Sequence, residues 1–262
     1  MQEHPTGRVA LVCAASKGLG RASAEALARD GVRVAICSRG GPALEAAAAA
    51  ITDAGGEVLP IAADLRRADD IARAIQKTVA SFGGLDILVT NTGGPPSGPF
   101  MTLDEQAWTD AFDSILLSVV RLCRGAIPHM QARGGGRIIN ITSISAKQPV
   151  EGLVLSNALR AAVTGLAKTL SAELAPHNML VNCVAPGYTR TDRVVELAAA
   201  TAAREGITPA QAEQLIVDKI PLGRMGTPEE FGAVVAFLAS PSASFVTGVT
   251  LPVDGGWLRG LL

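Results

Sequence analysis

The stretch Cys13-Ala14-Ala15-Ser16-Lys17-Gly18-Leu19-Gly20 joins an apolar run to the start of a helical pattern. Glycines at such a junction let the backbone approach a pyrophosphate closely and let the following helix pack on its strand. The helix N-terminus adds unpaired N–H groups and the positive end of its dipole. The second apolar run ends at Cys37, and Ala35 through Gly41 hold no carboxylate that would grip the ribose hydroxyls of NAD. Ser38 and Arg39 stand there instead, with Lys17 as a second cation near the same pocket. Two cations and no acid favour a 2′-phosphate, so these residues point to NADP(H).

Seven β-rich runs must carry such a site: 8–14, 32–37, 57–62, 85–90, 137–142, 179–184 and 249–253. The first six are nearly continuous apolar stretches, as expected of strands covered on both faces. Helical patterns fall between them, for example at 18–30, 68–82, 153–175 and 227–239. This alternation predicts an α/β chain, a parallel doubly wound sheet with helices on both faces. Thr227 followed by Pro228 reads as an N-cap and a first helical residue. The all-alanine run 46–50 reads as one face of a helix. No repeat, charge block or Pro/Ser-rich linker divides the chain, so 1–262 is read as one domain.

Of 262 residues, 48% are hydrophobic and 18% charged, which is enough apolar material for a sizeable core. A formal net charge of −1 gives no basic footprint for nucleic acid or an anionic membrane. An aromatic content of 3% offers little for base stacking. No stretch is long and apolar enough to span a bilayer, and residues 1–7 are polar with no room for a signal peptide. A cytoplasmic location is the expectation. Cys13, Cys37, Cys123 and Cys183 lie far apart and are not grouped with His4, His129 or His177. No metal site is expected, and the thiols read as reduced, buried small hydrophobes.

Several further segments join the glycine turn in one pattern: Asp64-Leu65, Thr90-Asn91-Thr92-Gly93, Pro186-Gly187-Tyr188-Thr189-Arg190-Thr191 and Asp254-Gly255-Gly256. Over nearly the whole chain this pattern resembles the short-chain dehydrogenase/reductase family, especially its 3-oxoacyl-ACP reductase-like branch. The family's T-G-x-x-x-G-x-G turn is present with its first two residues changed to Cys13 and Ala14. The resemblance implies a Rossmann-type, seven-stranded fold and a nicotinamide cofactor. It implies cofactor contacts from Ser16, Lys17, Gly18, Leu19 and Gly20 at the phosphates, from Arg39, and from Asp64 and Leu65 at the adenine. Asn91 and Gly93 follow the fourth strand, and Pro186, Gly187, Thr189 and Thr191 belong beside the nicotinamide. Relatives are usually tetramers packed through helices corresponding to 114–130 and 153–175, so a homotetramer or homodimer is expected.

The same resemblance exposes a break in the pattern. Members normally carry an Asn-Ser-Tyr-Lys tetrad, and Ser143 matches its serine. The register then puts Ser156 at the tyrosine position and Arg160 at the lysine position. Residues 161–166, Ala-Ala-Val-Thr-Gly-Leu, keep that register without a gap. The asparagine position falls at Ile115, or beside Ser114 if the helix slips by one. The single tyrosine of the chain, Tyr188, lies in the Pro-Gly loop. In the ordinary enzyme a phenol exchanges the proton at the substrate oxygen, and a nearby lysine lowers its pKa. A serine hydroxyl is a far weaker acid, and a guanidinium does not give up its proton. Ser156 and Arg160 stand i, i+4 on one helix face and with Ser143 can form a hydroxyl-plus-guanidinium pocket. Arg160 can hold the nicotinamide ribose or pin an anionic substrate oxygen. Tyr188 is either a relocated acid or a packing residue, and Lys147 and Glu151 are either further candidates or an exposed pair.

Residues 192–220 read as a helical lid, with Val194, Val195, Leu197, Leu215 and Ile216 on its apolar side. A lid of that kind implies a small-molecule substrate that is partly apolar. Three functions stay open: an NADP(H)-dependent oxidoreductase of a carbonyl/alcohol pair with a non-standard site; a non-redox enzyme using Ser143, Ser156 and Arg160; and a non-catalytic NADP(H)-binding protein.

Overall fold

The computed structural model describes residues 7–261. Its strands are β1 (Val9–Cys13), β2 (Arg33–Ser38), β3 (Val58–Ala62), β4 (Ile87–Thr90), β5 (Gly136–Ile141), β6 (Met179–Pro186) and β7 (Thr250–Val253). They form one sheet in the order β3-β2-β1-β4-β5-β6-β7. Every neighbouring pair is parallel. The unbroken apolar runs are the reason: β1 and β4 are buried along their whole length, with helices over both faces. The third run departs from the expectation of cover on both faces. It forms a sheet edge and is half-exposed, and its Pro60, which has no N–H to donate, is tolerated there.

The helices are α1 (Gly18–Arg29), α2 (Pro42–Asp53), α3 (Ala68–Phe82), α4 (Glu105–Ala111), α5 (Ser118–Ala132), α6 (Val154–Leu174), α7 (Asp192–Glu205), α8 (Pro209–Val217) and α9 (Pro228–Ala239). A π-helical segment, Phe112–Leu117, joins α4 to α5. Strand side chains alternate between two cores. Leu11, Leu88, Ile138 and Val181 pack with residues of α3, α5 and α6 on one face. Val12, Ile36, Val89 and Ile139 pack with α1, α2 and α9 on the other. Gly232 lets α9 come close to α1, since a Cβ there would lie 2.5 Å from the Ala22 carbonyl oxygen. Thr227 and Glu230 complete a capping box at the start of α9, with Pro228 in its first turn as the sequence predicts.

At the opposite end of the strands from the site, Asp86 ties the layers together. Its carboxylate accepts the Val9 N–H at 2.8 Å and the Arg133 Nε and Nη2 at 2.9 and 3.0 Å. The chain moves outward from β1 to β3 and then returns to place β4 on the other side of β1. That reversal opens a crevice at the carboxyl ends of β1 and β4, the position where such sheets bind ligands. No helix among the described residues is long and apolar enough to cross a membrane.

Candidate active site

The nucleotide side of the crevice is built on the start of α1. Lys17 is the N-cap residue, and no side chain caps the helix, so the first-turn N–H groups stay available to an anion. Gly18 adopts φ +59, and a Cβ on Gly20 would lie 2.4 Å from the Ala14 carbonyl oxygen and 2.8 Å from Asn91 Nδ2. Both glycines are therefore required by the turn. Ala14, where the family pattern has glycine, holds φ +47, a left-handed conformation that L-residues adopt at a cost of about 1–2 kcal/mol. Ser16 is half-buried in the same turn.

Arg39 is exposed at the end of β2 and forms no ion pair among the described residues. Its charge and, more strongly, the Arg66 side chain hold the Asp64 carboxyl below the usual range. Arg66 occupies that carboxylate at 2.6 Å, while Leu65 is buried in the core. Lys17 does not stand free beside Arg39: its Nζ pairs with Asp192 Oδ2 at 3.0 Å. Both partners are about two-thirds exposed, so this pair is weak and open to exchange.

Asn91 Nδ2 donates to the Ala14 carbonyl at 3.4 Å, linking the loop after β4 to the glycine turn. In that loop Gly93 is open, and Thr92 Oγ1 is buried with no hydrogen-bond partner among the described residues. Pro186 ends β6, and Gly187 follows it. Gly187 lies against Asp254, which a Cβ would approach to 2.6 Å, so the C-terminal turn fixes this loop. Thr189 is buried and bridges to Gly226, and the Thr191 side chain lies over Gly18. Arg193 Nη2 reaches the Pro95 carbonyl at 3.1 Å. The root of α7 thus touches both lips of the crevice, through Lys17 on one side and Pro95 on the other.

Beyond the end of β5, a chain of contacts runs from Ser143 through Ser145 to Ser156, with Arg160 one turn further along α6. Ser143 caps a short turn, Ile144–Ala146, its Oγ accepting the Ser145 N–H at 3.1 Å. Ser145 Oγ lies 2.9 Å from Ser156 Oγ, and both residues are buried. One helical turn on, Arg160 is 8% exposed and donates from Nη1 to the Ile141 carbonyl at 2.8 Å. No carboxylate among the described residues pairs with it. Burial alone lowers its pKa to about 10, which leaves the guanidinium charged at neutral pH.

The other candidates stand apart from this cluster. Ile115 is buried inside the π-helical segment, and Ser114 spends its hydroxyl on the Ala111 carbonyl at 3.3 Å. Neither supplies an amide. The Tyr188 ring packs edge-on against Trp257 at 6.2 Å, and its hydroxyl makes no hydrogen bond among the described residues. Burial pushes that phenol above its ordinary value, making it a weaker acid. Lys147 and Glu151 are exposed.

The helices of 192–220 pack on one another through Ala198, Ala202, Ala212, Ile207 and Ile216. Val195 and Leu215 do not share that face; they are 61% and 46% exposed. A cavity of about 470 Å³ lies beside α8, but Arg190 and Arg224 on its wall are already paired with Glu213 and Glu230. All four cysteines are buried and free, and no group of His, Cys, Asp and Glu among the described residues is placed to hold a metal.

A family model described as enoyl-(acyl carrier protein) reductase matches residues 13–258. Dehydrogenase/reductase SDR family member 4 of Oryctolagus cuniculus is 35% identical over 250 residues, covering 95% of this chain and 93% of that one. The 3-oxoacyl-[acyl-carrier-protein] reductase of Synechocystis is 35% identical over 254 residues, covering 96% and 97%. Among solved structures, L-sorbose reductase of Gluconobacter frateurii, complexed with NADPH and L-sorbose, is similar with a TM-score of 0.93. It is 33% identical, and the match covers 100% of both chains. The chain belongs to the short-chain dehydrogenase/reductase family, a family of oxidoreductases.

Proposed function

We propose that this chain is an NADP(H)-dependent oxidoreductase of a carbonyl/alcohol pair in which Ser143, Ser156 and Arg160 serve the substrate oxygen without a phenol–lysine pair. The observation that carries this reading is the buried guanidinium of Arg160, which lacks a carboxylate partner and sits one turn from the Ser145–Ser156 hydroxyl pair. The residues of the crevice fit the cofactor: an uncapped helix start for the pyrophosphate, exposed Arg39 for a 2′-phosphate, and an orphaned Thr92 hydroxyl that a ligand group can satisfy. When bound, the nicotinamide supplies or accepts the hydride.

The chain's own residues then handle the oxygen. Ser143 has its proton free to donate, because its Oγ acts as acceptor towards the Ser145 N–H. The Arg160 charge stabilises the oxyanion that develops as the carbonyl is reduced, a contribution of about 10²–10³-fold for one well-placed donor. Water provides the proton, so the site forgoes the roughly 10²–10⁴-fold of a positioned acid. Homotetramer formation belongs to the same proposal; Phe112 on the α4–α5 side, and Phe245 and Val249 next to β7, are exposed apolar residues suited to such contacts.

The test is transfer of deuterium from C4-labelled NADPH to a panel of ketones, read by mass spectrometry. Wild type is compared with Ser156→Tyr/Arg160→Lys. Transfer by the wild type that the double change diminishes supports the Ser/Arg site. NADPH binding with no transfer to any carbonyl favours a non-catalytic or non-redox role. Transfer that appears only in the double variant means that the natural site is not a reductase.

A further inference from the structure

Arg160 offers five N–H donors, and the described residues use one of them, from Nη1 to the Ile141 carbonyl. Arg160 retains 8% exposure, whereas the Nε atoms of Arg33 and Arg137 are sealed and unpartnered. A buried cation without a counter-charge is costly to a fold, and an anion entering from the crevice removes that cost. The pyrophosphate is not that anion. Its cradle follows β1, whereas Arg160 bonds to the end of β5, two strands along the sheet and therefore about 10 Å away at ordinary strand spacing. An oxidised nicotinamide ring carries positive charge and does not compensate Arg160 either.

The free edge of the guanidinium, Nε and Nη2, presents two parallel N–H groups, the geometry that grips a pair of neighbouring oxygens. The Ser145–Ser156 hydroxyl pair lies one turn before Arg160 on the same helix, and Ser143 comes two residues after Ile141, whose carbonyl Arg160 bonds. From these features we infer that the substrate is a 2-oxo acid, or the matching 2-hydroxy acid, whose carboxylate and reacting oxygen are held together by the Nε–Nη2 edge of Arg160. This inference rests on the proposed oxidoreductase reading and narrows its substrate. In the reducing direction the carbonyl carbon takes the hydride and the π pair moves onto the oxygen held by Arg160. That oxygen then takes a proton from water, giving the 2-hydroxy acid.

The experiment is calorimetric titration of the full chain, loaded with NADP⁺, with glycolate and mandelate and with their neutral amides. Using a small and a large acid removes side-chain size as the deciding factor. At least one acid is expected to bind ten or more times more tightly than its amide. Arg160→Met abolishes that preference while NADP⁺ affinity stays within about threefold. Arg160→Lys, which keeps the charge but not the fork, retains only part of it. Equal binding of acid and amide, absence of acid binding, or a preference that survives Arg160→Met overturns the inference. So does loss of NADP⁺ binding in folded Arg160→Met, since Arg160 then serves the cofactor. Failure of the wild type to bind NADP⁺ is a different result: it removes the oxidoreductase reading itself.

Discussion

Replacing Arg160 by methionine is expected to make the protein more stable. Burial lowers the guanidinium pKa to about 10, and at 1.36 kcal/mol per pH unit a drop of that size places the charged form on the order of 3 kcal/mol out of favour in the fold. The folded-state value lies below the unfolded one. The penalty is therefore complete at any pH below about 10 and is relieved only as pH rises above that value. At neutral pH the native protein carries all of it. Methionine keeps an apolar stem and removes the charge, but it leaves the Ile141 carbonyl without the Nη1 hydrogen bond, which costs about 1–2 kcal/mol. The balance is a gain of about 1–2 kcal/mol, or roughly 2–8 °C in Tm for a chain of this size. Urea unfolding followed by the fluorescence of Trp108 and Trp257 measures it. A loss of more than about 2 kcal/mol would show that Arg160 is a structural residue, and the reasoning from its missing counter-charge would fail. Stability sacrificed at a buried polar group is the usual sign of a site kept for function.

Three further changes separate the scaffold from the site. Gly20→Ala places a Cβ 2.4 Å from the Ala14 carbonyl oxygen, so it should cost about 1–3 kcal/mol and weaken NADPH binding at least about tenfold. Calorimetry and denaturant melts report both effects, and unchanged NADPH affinity would count against the cradle. Asp86→Ala removes the acceptor of the buried Val9 N–H together with the Arg133 ion pair, with an expected loss of about 1–3 kcal/mol by urea unfolding. Tyr188→Phe removes a phenol with no hydrogen-bond partner among the described residues, and NADPH-dependent turnover should stay within about threefold. A fall of about 10²-fold or more would instead make Tyr188 the relocated acid.

The sheet was legible because burial on both faces writes itself as continuous apolar runs. The starts and ends of β1, β2, β5 and β6 fall within two residues of the sequence expectation. An edge strand can carry the same composition, which is why the cover over β3 was misjudged; Pro60 was the available signal. The π-helical turn at Phe112–Leu117 left no trace in periodicity, since one inserted residue only shifts a helical pattern. At the site, register and i, i+4 spacing set Ser156 and Arg160 one turn apart on α6, where both are buried. Ser145 was missed because its role depends on the tight turn that Ser143 caps. The engagement of Lys17 by Asp192 is a contact between residues far apart in sequence, beyond any local pattern. The same holds for the outward-facing Val195 and Leu215. Helical spacing put them on the apolar side of the lid, but the α7–α8 contact is made by alanines and isoleucines.

The most direct measurement is calorimetric titration of the purified protein with NADPH and with NADH, repeated on Arg39→Ala. NADPH should bind at least about tenfold more tightly than NADH, a difference of about 1.4 kcal/mol, and Arg39→Ala should erase most of it. If neither nucleotide binds, Cys13 and Ala14 have closed the cradle and the oxidoreductase reading falls; equal affinity for both would contradict the assignment to NADP(H).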